Sequence, residues 1–416
     1  MMTINGNLSR RALLKSMATT AAGVGLLGAS GYASAADAEI KIASLLDLSG
    51  GLDAAGKPMQ DAMTLAVEEI NAAGGLLGKK IGLVTYDTQT DMRLYPQYAQ
   101  QAALKDKVAA AFGGITSASR EVMRPVFRRL NTLYFYNTQY EGGVCDRNIF
   151  CTGITPAQKQ SKQVPYAMKK WGKKIYTLAA DYNYGQITAD WTRKYCVDNG
   201  GQIVGQDFFP LDVTNFGSTI QKIQEAKPDF IYTVLVGGAH QSFYRQWAAA
   251  GMNTRIPMAS TTMSIGGEQM ILAPEETNGI LLCFNYFEAL DTPANKAFLE
   301  RFHKRFGADY PYVTELAMAT YQAVYLWAEG VKRAGTAERM PVIEALESGV
   351  SLDGPAGKFS LDPQTHHAVM DINIGQIENR KVKILESYAQ QQPSDTSGVC
   401  DLKKNPNDNT MYVIKV

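Results

Sequence analysis

The sequence is short of the groups that break bonds. Among 416 residues there are four histidines, His240, His303, His366 and His367. There is no G-x-S-x-G, no H-E-x-x-H and no Walker-type glycine loop, so serine hydrolase, zinc peptidase and phosphate-cradle readings have no motif to rest on. His366-His367 stands near Asp371, but three residues without a fourth ligand make a weak metal site, and a turn leading into a strand accounts for them. The five cysteines include no C-x-x-C pair, which removes zinc-ribbon and thioredoxin-like readings. An excess of charge is missing too. With 41 basic residues against 40 acidic ones, nothing draws the chain to nucleic acid or anionic lipid. Past residue 36 no apolar run is long enough to span a bilayer. The expectation is a protein that is not an enzyme and needs neither cofactor nor metal.

What is present starts at the amino end. Residues 9–15 read Ser-Arg-Arg-Ala-Leu-Leu-Lys. Twin arginines followed by the short run Ala21–Ala29 and by Ala33-Ser34-Ala35 have the order of a twin-arginine export signal, cleaved near Ala35 or Ala36. Residues 1–36 are therefore read as a signal peptide, which carries the rest to an oxidising compartment. A disulfide from Cys145 to either Cys151 or Cys400 becomes plausible there. Cys196, in a helical stretch, and Cys283, in an apolar strand, read as small buried hydrophobes.

The remaining chain, about 380 residues, has the length of two domains. Strands and helices alternate along it. Strands are expected at 39–46, 80–87, 108–112 and 132–137, with helices at 59–73, 95–104 and 119–130 between them. A second series follows the cysteine loop, with strands at 174–180, 201–209, 229–235 and 256–259 among helices at 156–170, 187–198, 216–226 and 239–250. This alternation predicts parallel sheets covered by helices on both faces, in two lobes of similar build. The C-terminal third, with helices at 293–306, 314–334 and 341–346 and strands at 279–284, 357–361, 368–377 and 382–387, must be shared between the lobes. Residues 389–412 are polar, with scattered Pro, Gly and Asn, and read as a loosely packed tail.

Open parallel sheets bind ligands beyond the carboxyl ends of their strands. There the sequence places Gly113-Gly114-Ile115-Thr116-Ser117-Ala118-Ser119, where glycines allow close approach and a helix start offers free N–H groups. A plain helix cap is the alternative at Thr116 and Ser117. Tyr134 and Tyr136 precede Thr138-Gln139-Tyr140-Glu141, and Asp181-Tyr182-Asn183-Tyr184-Gly185 follows the first strand of the second series. Tyrosine gives an apolar face and one polar tip, which suits a small uncharged polar solute.

At these residues the sequence resembles the type I solute-binding proteins of bacterial ABC importers, in the leucine/isoleucine/valine-binding superfamily. It is more narrowly similar to the urea and short-chain amide-binding branch. The resemblance is carried in order and spacing by Thr116-Ser117-Ala118-Ser119-Arg120, Tyr140-Glu141-Gly142-Gly143-Val144-Cys145, Asn148-Ile149-Phe150, Asp181-Tyr182-Asn183-Tyr184 and Asp291-Thr292-Pro293-Ala294-Asn295-Lys296. It implies two Rossmann-like α/β lobes joined by a three-crossover hinge, residues 37–156 with 286–362 forming one lobe, 157–285 with 363–388 the other, and 389–416 a tail. It further implies a periplasmic monomer that traps a solute and meets a membrane permease transiently. By position, Ser117 and Thr138 are expected to hydrogen-bond the solute, Tyr136 to flank it, and Tyr182 and Tyr184 to close over it. Ile115 and Thr116 belong to the same edge, and Val236, Asn285 and Tyr286 are weaker candidates for the wall. Ile115 replaces a tyrosine that amide binders can carry, and Gly185 a frequent proline, which predicts a looser loop.

Amino-acid binders of this superfamily hold the ammonium with an acid after the strand placed here at 256–259. Ser260-Thr261-Thr262-Met263 offers none, and a buried ammonium without a carboxylate costs several kcal/mol. A neutral solute is therefore expected, unless Glu141 enters the cleft. An amino-acid binder, an amide-sensing regulator and an amide hydrolase are the alternatives.

Overall fold

The computed structural model describes residues 39–415. The twin-arginine segment and its cleavage site lie outside these residues. The first series runs β1 (Ile40–Leu46), α1 (Asp53–Ala72), β2 (Ile81–Asp87), α2 (Leu94–Leu104), β3 (Ala110–Gly113), α3 (Ser117–Arg129), β4 (Leu133–Tyr136), β5 (Val144–Asp146) and β6 (Ile149–Cys151). The second runs α4 (Pro156–Trp171), β7 (Lys174–Ala180), α5 (Asn183–Asp198), β8 (Gln202–Phe209), α6 (Gly217–Ala226), β9 (Phe230–Val234), α7 (Gly238–Ala249), β10 (Met258–Ser260), α8 (Glu268–Ile271), α9 (Pro274–Thr277) and β11 (Leu281–Phe284). The last third supplies α10 (Pro293–Phe306), α11 (Glu315–Ala334), α12 (Arg339–Glu347), β12 (Ser351–Gly354), β13 (Gly357–Asp362), β14 (His367–Glu378), β15 (Lys381–Gln391), α13 (Ser394–Ser397) and β16 (Asn409–Met411).

Parallel pairing dominates in both series, as the alternation requires. β2-β1-β3-β4-β6 forms one half of the sheet and β11-β10-β9-β7-β8 the other. The expected pair of sheets is one continuous fourteen-stranded sheet among the described residues, because β14 bridges the halves. Its first residue, His367, pairs with Cys151 of β6, while Asn373–Gln376 run antiparallel to β11. Twelve residues of extended chain reach about 40 Å, enough to serve both halves.

The chain passes between the halves from β6 to α4, from β11 to α10 and from β13 to β14, and after β15 the tail returns to pair β16 with β5. The second passage returns it to pack α11 against α1 and α12. α11 is apolar on nearly all sides, and Trp327 from it meets Phe112 of β3 edge-on, with ring centroids 6.3 Å apart. Threonine hydroxyls cap α3, α10 and α11. Thr116 accepts from the Ser119 amide at 3.0 Å, Thr292 from Asn295 at 3.1 Å and Thr314 from Ala317 at 3.2 Å.

The tail is not loosely packed, contrary to the sequence expectation. Cys400 is bonded to Cys145, which chooses between the two possible pairings, and Cys151 is free and buried. β16 pairs antiparallel with β5. Asp395 and Thr396 are buried; the Asp395 carboxylate accepts from the Ala157 amide at 2.9 Å, and Thr396 Oγ1 accepts from Gly143 at 3.0 Å. Polar composition reads as a loosely packed tail, but these polar groups satisfy backbone donors of neighbouring elements instead. His366 and His367 form the turn and first strand residue expected of them.

Candidate functional site

Parallel strands direct their carboxyl ends, and the loops after them, to one edge of each half. Contacts show that the two edges face each other. Gln139, after β4, donates to the Thr261 carbonyl, after β10, at 2.8 Å. Trp191 of α5 donates from Nε1 to the Glu141 carbonyl at 3.3 Å. Here the structure gathers most residues named from the sequence.

The first-half edge is fixed by its own hydrogen bonds. Tyr136 donates its hydroxyl proton to the Ile115 carbonyl at 3.0 Å, and Thr138 donates to the Gly114 carbonyl at 3.0 Å. Ser117 donates to Glu141 Oε2 at 2.5 Å. With their protons committed, these three hydroxyls present lone pairs only. The second-half edge repeats the arrangement: Tyr184 donates to Thr261 Oγ1 at 3.2 Å, and its ring lies 6.2 Å from that of the half-buried Tyr182. Helix starts supply the complementary donors. Thr116 caps only the Ser119 amide of α3, and α5 begins at Tyr182 without any side-chain cap.

Glu141 does enter this region, fully buried. Its charge is matched internally, because Arg120 Nη2 lies 3.1 Å from Oε1. The guanidinium is itself held over the rings of Tyr136 and Tyr140, at 4.9 and 4.4 Å from their centroids. Ile115 and Val236 are buried apolar groups at 6% and 5% exposure. Tyr286 is directed elsewhere: its hydroxyl donates to Asn295 Oδ1 at 2.9 Å and its ring meets Phe298 edge-on.

The segment at Gly185, expected as a looser loop, is the tightly packed first turn of α5. A Cβ on Gly185 would stand 1.9 Å from the Ala180 carbonyl oxygen, so only glycine lets α5 approach the end of β7. Gly56 of α1 has the same relation to Asp47, at 2.0 Å.

Other polar residues at the edge carried no sequence signal. Lys159 of α4 is buried, and its ammonium is hydrogen-bonded to Gln139 Oε1 and to the Thr261 carbonyl, joining loops of both halves. Burial lowers its pKa to about 7. Ser260–Met263 indeed contains no acid, but α8 brings the buried Glu268 after it, where the carboxylate accepts from the Gly266 amide at 3.1 Å. Burial raises Glu268 to about 7. Gln158, Lys159, Gln160 and Gln163 of the same helix are all buried, Gln158 donating to the Ala368 and Gln391 carbonyls and Gln163 to those of Ser260 and Leu281.

The sequence profile of the periplasmic binding protein family matches residues 39–381. The chain belongs to the periplasmic binding protein family. A leucine-, isoleucine-, valine-, threonine- and alanine-binding protein of Pseudomonas aeruginosa is 25% identical over 350 residues, covering 82% of this chain and 90% of that one. The fold is shared with a solute-binding protein of an ABC transporter from R. palustris solved with benzoate, at a TM-score of 0.76 and 22% identity over 85% of this chain and 97% of the other. It is shared also with a branched-chain amino acid binding protein from Streptococcus pneumoniae solved with isoleucine, at a TM-score of 0.74 and 21% identity over 85% and 100%. Among the described residues no helix is long and apolar enough to cross a membrane.

Proposed function

We propose that this binding protein closes on a small neutral solute rich in N–H donors, a urea or short-chain amide, and hands it to an ABC permease in the membrane. The orientation of the hydroxyls supports this reading. Ser117, Tyr136, Thr138 and Tyr184 all donate their protons into the protein, so what they offer a guest is acceptor oxygen. A carboxylate only accepts and finds no partner in them, whereas an amide nitrogen does. The amide carbonyl is left for the helix starts. The buried Glu141 at the edge is already compensated by Arg120, so it does not itself call for a cationic guest. Size sets a limit as well. A guest of about four heavy atoms gains at most about 6 kcal/mol, a dissociation constant of about tens of micromolar.

Residues 37–156 with 286–362 are proposed to act as one lobe and 157–285 with 363–388 as the other, closing as a hinge on the solute. Export by the twin-arginine route places this capture in the periplasm.

A second reading is an amino acid or another carboxylate, which the Pseudomonas aeruginosa relative and the benzoate- and isoleucine-bound structures bring forward. The uncapped turn of α5 and the two leading amides of α3 favour it, since a helix start attracts anions. Titration calorimetry against urea, formamide, acetamide, leucine and benzoate separates the two. Heat from amides alone bears out the first. Heat from leucine or benzoate alone replaces it with the second.

A further inference from the structure

We propose that Glu315 is a solute-binding residue, its two carboxylate oxygens taking N–H donors of the guest, and that Lys159 is its balancing positioning residue. This rests on the amide reading above and assigns the acceptor it still needs, because hydroxyl oxygens alone are weak partners for an amide nitrogen.

Glu315 is the first residue of α11, beyond the second passage between the halves, and is 2% exposed. Neither of its oxygens has a hydrogen-bond partner. A carboxylate left bare at such depth is costly, which raises its pKa to about 7, and an unpaired buried polar group in a native fold calls for a missing partner. Lys159 is near enough to couple to it electrostatically, yet no ion pair within 4.0 Å joins them among the described residues. The ammonium is held instead by Gln139 and Thr261, one loop from each half, and lies 4.1 Å from the centre of the Phe284 ring. Thr261 in turn accepts from Tyr184, and Glu315 is near enough to Tyr184 to interact with it electrostatically. Glu315 thus belongs to the same cluster as the tyrosines that close the site. Asn285, the residue after Phe284, is 1% exposed, and neither atom of its side-chain amide is paired.

The unpaired groups complement one class of guest. A carboxylate that accepts twice matches an NH₂ group, and the Asn285 amide offers a donor for a carbonyl. A primary amide or urea supplies both. A guest carboxylate instead meets Glu315 as a like charge. The deficit falls where the two halves meet and where Lys159 ties both loops, so the missing donor arrives with closure.

The test is calorimetry of acetamide, urea and acetate on the full mature protein and on Glu315→Gln, with circular dichroism to verify the fold. Gln keeps the shape but turns one acceptor into a donor. The expected result is an acetamide and urea affinity lowered at least about tenfold, with the preference of acetamide over acetate reduced by a similar factor. Lys159→Met is expected to lower the affinity for both solutes by a smaller factor. Wild-type binding of acetamide that Glu315→Gln leaves within about twofold, with only the melting temperature moved, overturns the inference while the amide reading stands. Binding of neither acetamide nor urea by the wild type overturns both.

Discussion

Ser117 gives its proton to Glu141, and Tyr182 presents its ring beside Tyr184 in the opposite half, so in the proposed site the two test different contacts. Ser117→Ala and Tyr182→Ala are each expected to weaken acetamide binding by more than about tenfold, about 1.4 kcal/mol, with the fold intact by circular dichroism. Unchanged calorimetric affinity in both removes these residues from the site. Glu268 carries a pH prediction. Burial raises it to about 7, whereas unfolded it titrates near 4.5. Between these values the folded state holds a proton that the unfolded state has released, so this residue makes stability fall as pH rises through that window. Glu268→Gln is expected to flatten that slope and to be the more stable protein at pH 8, by about 2 kcal/mol, in guanidinium unfolding series at pH 4.5, 6 and 8. A parallel pair of curves excludes the assignment. The hydroxyl and tyrosine residues were legible in the sequence because strand ends are where open sheets bind. Lys159 and Glu315 were not, because a charged residue in an amphipathic helix reads as solvated until another part of the chain covers it.

At the scale of elements, two glycines let helices reach strand ends. Gly185→Ala sets a methyl 1.9 Å from the Ala180 carbonyl oxygen. The expected result is a loss of at least about 2 kcal/mol, together with weaker acetamide binding through a displaced Tyr182 and Tyr184. Thermal melting and calorimetry check this, and a neutral change would mean that α5 can shift freely. The tail is a second such case. Arg124 and Arg128 donate to the carbonyls of Asn409 and Asp408 at 2.7 and 2.9 Å, while the disulfide closes a loop with a sequence separation of 255. Cys145→Ser with Cys400→Ser is expected to lower stability by about 2–5 kcal/mol in guanidinium. Wild-type protein under reductant should follow the double variant, and a stability equal to the oxidised protein refutes the role. Most helix and strand positions were readable from their periodicity, although α1 starts at Asp53, ahead of the expected 59–73, whereas β5, β6, β12, β16 and the short helices α8, α9 and α13 were missed, being too short to show one.

At the scale of the molecule, closure on the solute is expected to make the protein more compact. Small-angle scattering should show a smaller radius of gyration with saturating acetamide than without it, and Trp191→Phe, which removes the bond to the Glu141 carbonyl, should weaken that change. An identical scattering profile with and without a bound solute argues against a hinge. By itself the sequence determined the alternating strands and helices, the two series, the tyrosine-rich strand ends and the family, since these follow from local periodicity and ordered motifs. Only the tertiary structure decided the partner of Cys145, the joining of two half-sheets by β14, the anchoring of the tail, and the burial of Lys159, Glu268 and Glu315. Those depend on which distant segments meet, and a buried polar group acquires its meaning from the partner it is given or denied.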